Sequence, residues 1–258
     1  MLLKDKNAVI YGAGGAIGSA VARAFAREGA KVFLAGRTLA TLDTVAEEIR
    51  SAGGLAETAK VDALDETSVN AHADAVVQKA GDIYVSFNAI SIRDVQLIPL
   101  VEMSREDFMS PIATGVSAHF LTARAAARHM VRQGSGVILT LSSSAVRAFV
   151  PGVHVGGFGI ACTAIEALTK QLAAEFGPRG IRAVCLRPEG IPESWEGTST
   201  EEWSAPPTEI EAGIKARSLL GRVTTLADVG NAAVFLASDL AGATTGTVFN
   251  LTSGTVVD

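Results

Sequence analysis

Short apolar runs alternate with stretches whose apolar residues recur every three or four positions, and this rhythm runs the length of the chain. The strand-like runs are Ala8–Tyr11, Val32–Ala35, Ala59–Val61, Ile83–Phe87, Val137–Leu141, Arg182–Leu186 and Thr247–Leu251. Between them lie helix-like stretches. Ala16–Arg27 sets Ile17, Val21, Ala24 and Phe25 on one face, and Thr41–Arg50 does the same with Leu42, Val45 and Ile49. Further helices are expected near Glu66–Lys79, over Ser104–Arg132, over Gly157–Phe176 and near Leu226–Ala237. A nearly all-apolar strand must be covered on both faces, and a helix between two strands supplies a right-handed crossover. The expected fold is therefore α/β, one doubly wound parallel sheet with helices on both faces. We expect residues 1–258 to form a single domain, since that length can bury one large core.

Composition narrows the function classes. The net charge of −5 is spread along the chain with no basic run, which argues against a nucleic-acid partner. No stretch of about eighteen apolar residues exists to span a membrane, and Met1–Lys6 does not read as a signal peptide. Cys162 and Cys185 are far apart and lack a Cys-x-x-Cys spacing, so neither a disulfide framework nor a metal site is expected. This fits a reducing, cytoplasmic setting.

The sharpest local signal is Tyr11-Gly12-Ala-Gly14-Gly15-Ala-Ile17-Gly18, which follows the first strand and opens the first helix. Glycines there permit a tight turn and let backbone N–H groups approach a pyrophosphate at a helix N-terminus. The second strand ends in Gly36-Arg37. A carboxylate at that place would accept from a ribose 2′-hydroxyl and repel a 2′-phosphate, whereas Arg37 welcomes the phosphate. The expected cofactor is NADP(H) in preference to NAD(H); a plain turn and a solvated surface arginine are the blander readings.

These pieces, in this order, resemble the short-chain dehydrogenase/reductase family over essentially the whole chain, with its Rossmann-type sheet. Gly12 to Gly18 is similar to the family's glycine-rich signature, although Ala16 takes the middle glycine's place. Asp62 resembles the residue that contacts adenine. Phe87-Asn88-Ala89-Ile90 stands where the family has Asn-Asn-Ala-Gly, so Asn88 and Ala89 match. Leu141-Ser142-Ser143 resembles the strand end that carries the active-site serine, here Ser143. Arg187-Pro188-Glu-Gly190 is similar to the run into the nicotinamide-side loop, placing Pro188 at the cofactor. The resemblance implies an oxidoreductase that assembles as a homo-oligomer, tetramer or dimer, and acts on a small molecule.

The family's catalytic set is an Asn in the long helix, the Ser, and a Tyr-x-x-x-Lys. Matching Ile165-Glu-Ala-Leu-Thr169 puts Phe158 at the Tyr and Cys162 at the Lys; matching Phe120-Leu121 puts Gly115 at the Asn. Pro111 and Gly115 are expected to kink or loosen the long helix beside the site. Phe158 has no proton for a developing alkoxide, and a neutral thiol at Cys162 cannot depress a neighbour's pKa. General acid help of this kind is worth roughly 10²–10⁴-fold. His154, one helical turn before Phe158, is the candidate replacement donor and could pair with Ser143 or Ser144; His119 is a weaker one. Cys162 reads as a filler or a nucleophile, Cys185 as core, and His72 and His129 as helix-surface residues. A substrate that is already cationic, such as a protonated imine, would accept hydride with no donor to oxygen, and a conjugated enone would need only polarisation by Ser143. Three readings stay open: an NADP(H)-dependent oxidoreductase with an altered acid–base set, a catalytically silent nucleotide sensor or oligomer partner, and a non-redox lyase or isomerase. The irregular stretch Pro188–Pro207, with Trp195 and Trp203, reads as a lid, and the substrate loop is expected at about 188–219.

Overall fold

The computed structural model describes residues 1–92, 94–147, 154–195 and 206–257. Seven strands form one parallel sheet: β1 (Asn7–Tyr11), β2 (Lys31–Gly36), β3 (Leu55–Lys60), β4 (Val85–Asn88), β5 (Gly136–Leu141), β6 (Ile181–Pro188) and β7 (Thr247–Leu251). Their order across the sheet is β3-β2-β1-β4-β5-β6-β7. The chain order reverses between β1 and β4, which opens a crevice at the C-terminal ends of those strands.

The helices are α1 (Ala16–Arg27), α2 (Leu39–Ser51), α3 (Glu66–Ala80), α4 (Arg105–Gln133), α5 (Gly156–Phe176), α6 (Pro207–Arg217) and α7 (Leu226–Ala237). Side chains alternate along each strand and so build two cores. Ala8 and Ile10 of β1 join Val21 and Phe25 of α1 and Val229 and Ala233 of α7 on one face. Val9 and Tyr11 join Val69 and Ala73 of α3 and Ala123 and Ala126 of α4 on the other.

Three local expectations change. The third strand was expected at Ala59–Val61 but β3 is Leu55–Lys60. It is the sheet's edge, and its Glu57 pairs with Lys31 and Lys79, so polarity hid the strand. Helix α6 lies within 188–219, expected as the substrate loop, and was not foreseen as a helix; of its residues only Ile214 is buried, so it carries no apolar stripe to read. Helix α4 runs unbroken through Pro111 and Gly115. A proline removes one intrahelical bond, but the long flanks and the packing on α5 hold the helix. The packing is close: a Cβ on Gly157 would collide with the Phe108 carbonyl and lie 2.9 Å from Pro111 Cγ. Trp203 lies outside the described residues.

Candidate active site

A groove of about 430 Å³ opens at the sheet's switch point, and Gly12, Gly14, Gly15, Arg37, Asp62 and Ala89 all border it. Gly12 sits at φ +78°, where an added Cβ would lie 2.5 Å from the Ala89 carbonyl oxygen, so only glycine makes this turn. Gly14 lies against the Thr41 hydroxyl, with no room for a side chain. Gly15 is the N-cap of α1 and offers no side-chain acceptor, which leaves the first-turn N–H groups of a twelve-residue helix facing the groove. At the other end β2 finishes at Gly36, and Arg37 is exposed with no ion-pair partner among the described residues. Asp62 is exposed and accepts from Leu64 N–H at 3.0 Å. The cradle of backbone donors without side chains, followed by an open guanidinium, fits an anionic dinucleotide.

The remaining predicted cofactor residues, Gly18, Ile17, Asn88 and Pro188, do not line the groove. A Cβ on Gly18 would collide with the Gly12 carbonyl, so Gly18 lets α1 approach the turn. Ile17 is half-buried against the core. The Asn88 amide donates to Ala118 O (3.1 Å) and Thr122 Oγ1 (2.9 Å) and accepts from Ile90 N–H (3.0 Å). It is 3% exposed, so it ties β4 to α4 and shapes the turn into Ile90. Pro188 closes β6, buried and in register with Leu251 of β7.

Beyond the groove, β5 delivers Ser142 and Ser143 to its C-terminal end. On α5 residues 158, 162 and 166 are four apart and share one face. Cys162 is 1% exposed and accepts a hydrogen bond from the Ser143 backbone. Burial pushes its thiol up to about 12, with Cys185, Glu166 and Asp94 adding to the rise. Cys185 is buried on β6 and raised to about 11 by the same cause. Neither thiol is a thiolate at neutral pH, so the nucleophile reading of Cys162 loses its basis. One turn further, Glu166 holds Arg187 through Oε1···Nε at 2.8 Å and Oε2···Nη2 at 3.1 Å. Ser142 Oγ donates to the same carboxylate at 2.9 Å. The Arg187 guanidinium is therefore charge-balanced by a buried partner.

Ile92 packs over Gly115, where an added Cβ would meet Ile92 Cδ1 at 2.8 Å. His119 is 1% exposed, its Nδ1 is 2.9 Å from Gly115 O, and its Nε2 accepts weakly from Leu141 N–H at 3.4 Å. Burial lowers its pKa to about 4, so it is a neutral strut between α4 and β5. His154 is half-buried; its carbonyl accepts from Leu97 N–H, and its ring has no hydrogen-bond partner among the described residues. Ser143 Oγ accepts from Ala145 N–H, and Ser144 pairs elsewhere, so neither serine engages His154. His72, expected on a helix surface, is buried near the Tyr11 hydroxyl and lowered to about 4. His129 is 10% exposed and pairs with Asp74.

Sequence reasoning passed over two carboxylates here. Glu189, next to Pro188, accepts from Ser144 Oγ (2.6 Å), from its neighbour Gly190 N–H (3.0 Å) and from Thr255 Oγ1 (2.5 Å). It stitches the ends of β5 and β6 to the turn after β7. Asp94 lies close enough to Cys162 to perturb it, bonds Gln96, and is held above the ordinary carboxyl range by burial.

The family model described as enoyl-(acyl carrier protein) reductase matches residues 12–255. An oxidoreductase of Mycobacterium tuberculosis without an assigned reaction is 32% identical over 98% of this chain and 92% of its own. A 3alpha-hydroxysteroid dehydrogenase of Mediterraneibacter gnavus is 33% identical, over 97% of both chains. Among solved structures, a short-chain type dehydrogenase/reductase from Mycobacterium marinum superposes with a TM-score of 0.86 at 30% identity, covering 99% of this chain and 97% of that one. A gluconate 5-dehydrogenase from Burkholderia cenocepacia, solved with NADP and tartrate, gives 0.85 at 26% identity over 98% and 96%.

Proposed function

The chain belongs to the short-chain dehydrogenase/reductase family of oxidoreductases, and on that premise we propose that it is an NADP(H)-dependent member with an altered acid–base set. The observation that carries the cofactor preference is the end of β2, where Gly36 and Arg37 border the groove and no carboxylate precedes them. Gly12, Gly14, Gly15, Ile17 and Gly18 would hold the pyrophosphate turn, Asp62 and Asn88–Ala89 the adenine and ribose side, and Pro188 the nicotinamide side. When bound, the dinucleotide supplies or receives the hydride. Ser143 would polarise a substrate, and His154, just before the N-cap of α5, is the candidate proton donor.

Residues 1–258 act in this reading as one domain, in the cytoplasm, with no nucleic-acid or membrane partner; among the described residues no helix is long and apolar enough to cross a membrane. The homo-oligomer reading is supported by Phe120 on α4 and Ile160 on α5, which are 43% and 48% exposed. The neutral, buried Cys162 also supports a second reading, a catalytically silent member that senses a nucleotide or steadies a partner subunit.

A fragment experiment tests the Arg37 assignment without involving the catalytic end. Thermal shifts with adenosine 2′,5′-bisphosphate and with ADP should favour the former, and Arg37→Ala should abolish the difference. A charge-assisted pair of this kind contributes about 1.5–3 kcal/mol, so roughly 10–100-fold in affinity. Equal shifts in the wild-type chain would refute NADP(H) preference.

A further inference from the structure

Among the described residues, two carboxylates at the catalytic end have no cationic partner. Glu189 accepts only from two hydroxyls and one backbone N–H, and Asp94 from Gln96 and its own backbone; neither has a Lys or Arg partner among the described residues. The two are linked around the end of β5: Asp94 lies by Cys162, Cys162 accepts from Ser143, and the adjacent Ser144 donates to Glu189. Arg187 is held by Glu166 in a two-point pair, so its charge is balanced before it reaches this surface. An alkoxide developing near Ser143 would have these carboxylates in its surroundings and, among the described residues, neither an ammonium nor a phenol at the Lys and Tyr places, so it is opposed electrostatically. A cation in the same place is favoured by both carboxylates, and the Phe158 ring, on the α5 face that carries Cys162, adds an aromatic surface suited to a cation.

We propose that this site takes a substrate already positively charged at the reacting group, an iminium ion or protonated imine, in preference to a neutral ketone. The inference rests on the dinucleotide reading above and names its substrate class. The step balances without a proton donor. Hydride from a reduced nicotinamide dinucleotide forms a C–H bond at the iminium carbon, the C=N π pair moves to nitrogen, and the products are a neutral amine and the oxidised dinucleotide. The positive charge passes from substrate to nicotinamide, so no alkoxide forms and neither the absent phenol nor the absent ammonium is needed.

The test pairs an N-methyl dihydroisoquinolinium salt with tetralone, which is neutral and similar in shape. Each is titrated into protein saturated with NADP⁺, with calorimetry as the readout. Turnover with NADPH is followed separately against an enzyme-free control. The salt should bind at least roughly tenfold more tightly than the ketone and be the only one of the two reduced. Removing one unit of charge a few ångströms away should weaken the salt by roughly tenfold. Glu189→Gln should do this and so lower the ratio of salt to tetralone affinity by roughly tenfold. Asp94→Asn gives a second reading of the same effect should the Glu189 variant lose its fold, which its melting curve reports. Equal or weaker binding of the cation, or indifference of its affinity to both substitutions, overturns the proposal and leaves the dinucleotide reading standing. Failure of NADP⁺ to bind overturns both, and is seen before any substrate is added.

Discussion

Replacing Arg187 by methionine isolates the element that most distinguishes this catalytic end. Arg187 and Glu166 are 3% and 8% exposed, and two contacts at 2.8 and 3.1 Å join them. Arg187→Met leaves a buried carboxylate with the Ser142 hydroxyl in place of its cation. Breaking one side of a buried pair costs about 3–5 kcal/mol, because the surviving charge stays desolvated. For a chain of this size that corresponds to a drop in Tm of roughly 10 °C. The double change Glu166→Leu/Arg187→Met removes both charges and should recover more than half the loss, since apolar replacements of a whole buried pair are often neutral. Urea unfolding of the wild type, both single variants and the double variant gives the coupling directly. A single-variant cost below about 1 kcal/mol, or a double variant as unstable as the sum of the singles, would refute the account of Arg187 as a charge neutralised by Glu166.

Other consequences follow from the same geometry. Adding the family's asparagine, Gly115→Asn, presses a Cβ to 2.8 Å from Ile92 Cδ1 and should destabilise by about 1–3 kcal/mol, with Ile92→Ala relieving much of it; a melting series checks this. Burial lowers His72 and His119 from 6.5 to about 4 in the folded state. Their contribution is therefore full above the unfolded value and is lost as pH falls from about 6.5 to 4, by up to about 3 kcal/mol each. His119→Gln should flatten the acid side of a urea-midpoint profile, and an unchanged slope would count against the neutral-strut role. Cys162 and Cys185, buried and raised to about 12 and about 11, should resist Ellman's reagent at pH 8 in native protein and both react in denaturant.

The local parts of this molecule were legible because their physics is local. Gly12 to Gly18 is a turn between a strand and a helix, and Arg37 sits one residue past a strand end; both are written in consecutive residues. Edge strand β3 was misplaced because an exposed edge carries charge where a central strand carries valine. Glu189 was passed over because its partners, Ser144 and Thr255, lie 45 and 66 residues away and meet only when the ends of β5, β6 and β7 align. The Glu166–Arg187 pair, 21 residues apart, is a fact of tertiary packing in the same way. Neighbours in sequence are legible from the sequence; neighbours brought together by the sheet are legible only from the fold.

The central claim is that the groove holds a dinucleotide and prefers the 2′-phosphorylated one. Calorimetric titration of the whole chain with NADPH and with NADH tests it most directly. The account predicts saturable one-site binding of NADPH, with NADH weaker by roughly tenfold or more and the gap closed in Arg37→Ala. Tighter binding of NADH would contradict the Arg37 assignment, and no binding of either at millimolar concentration would contradict the account at its root.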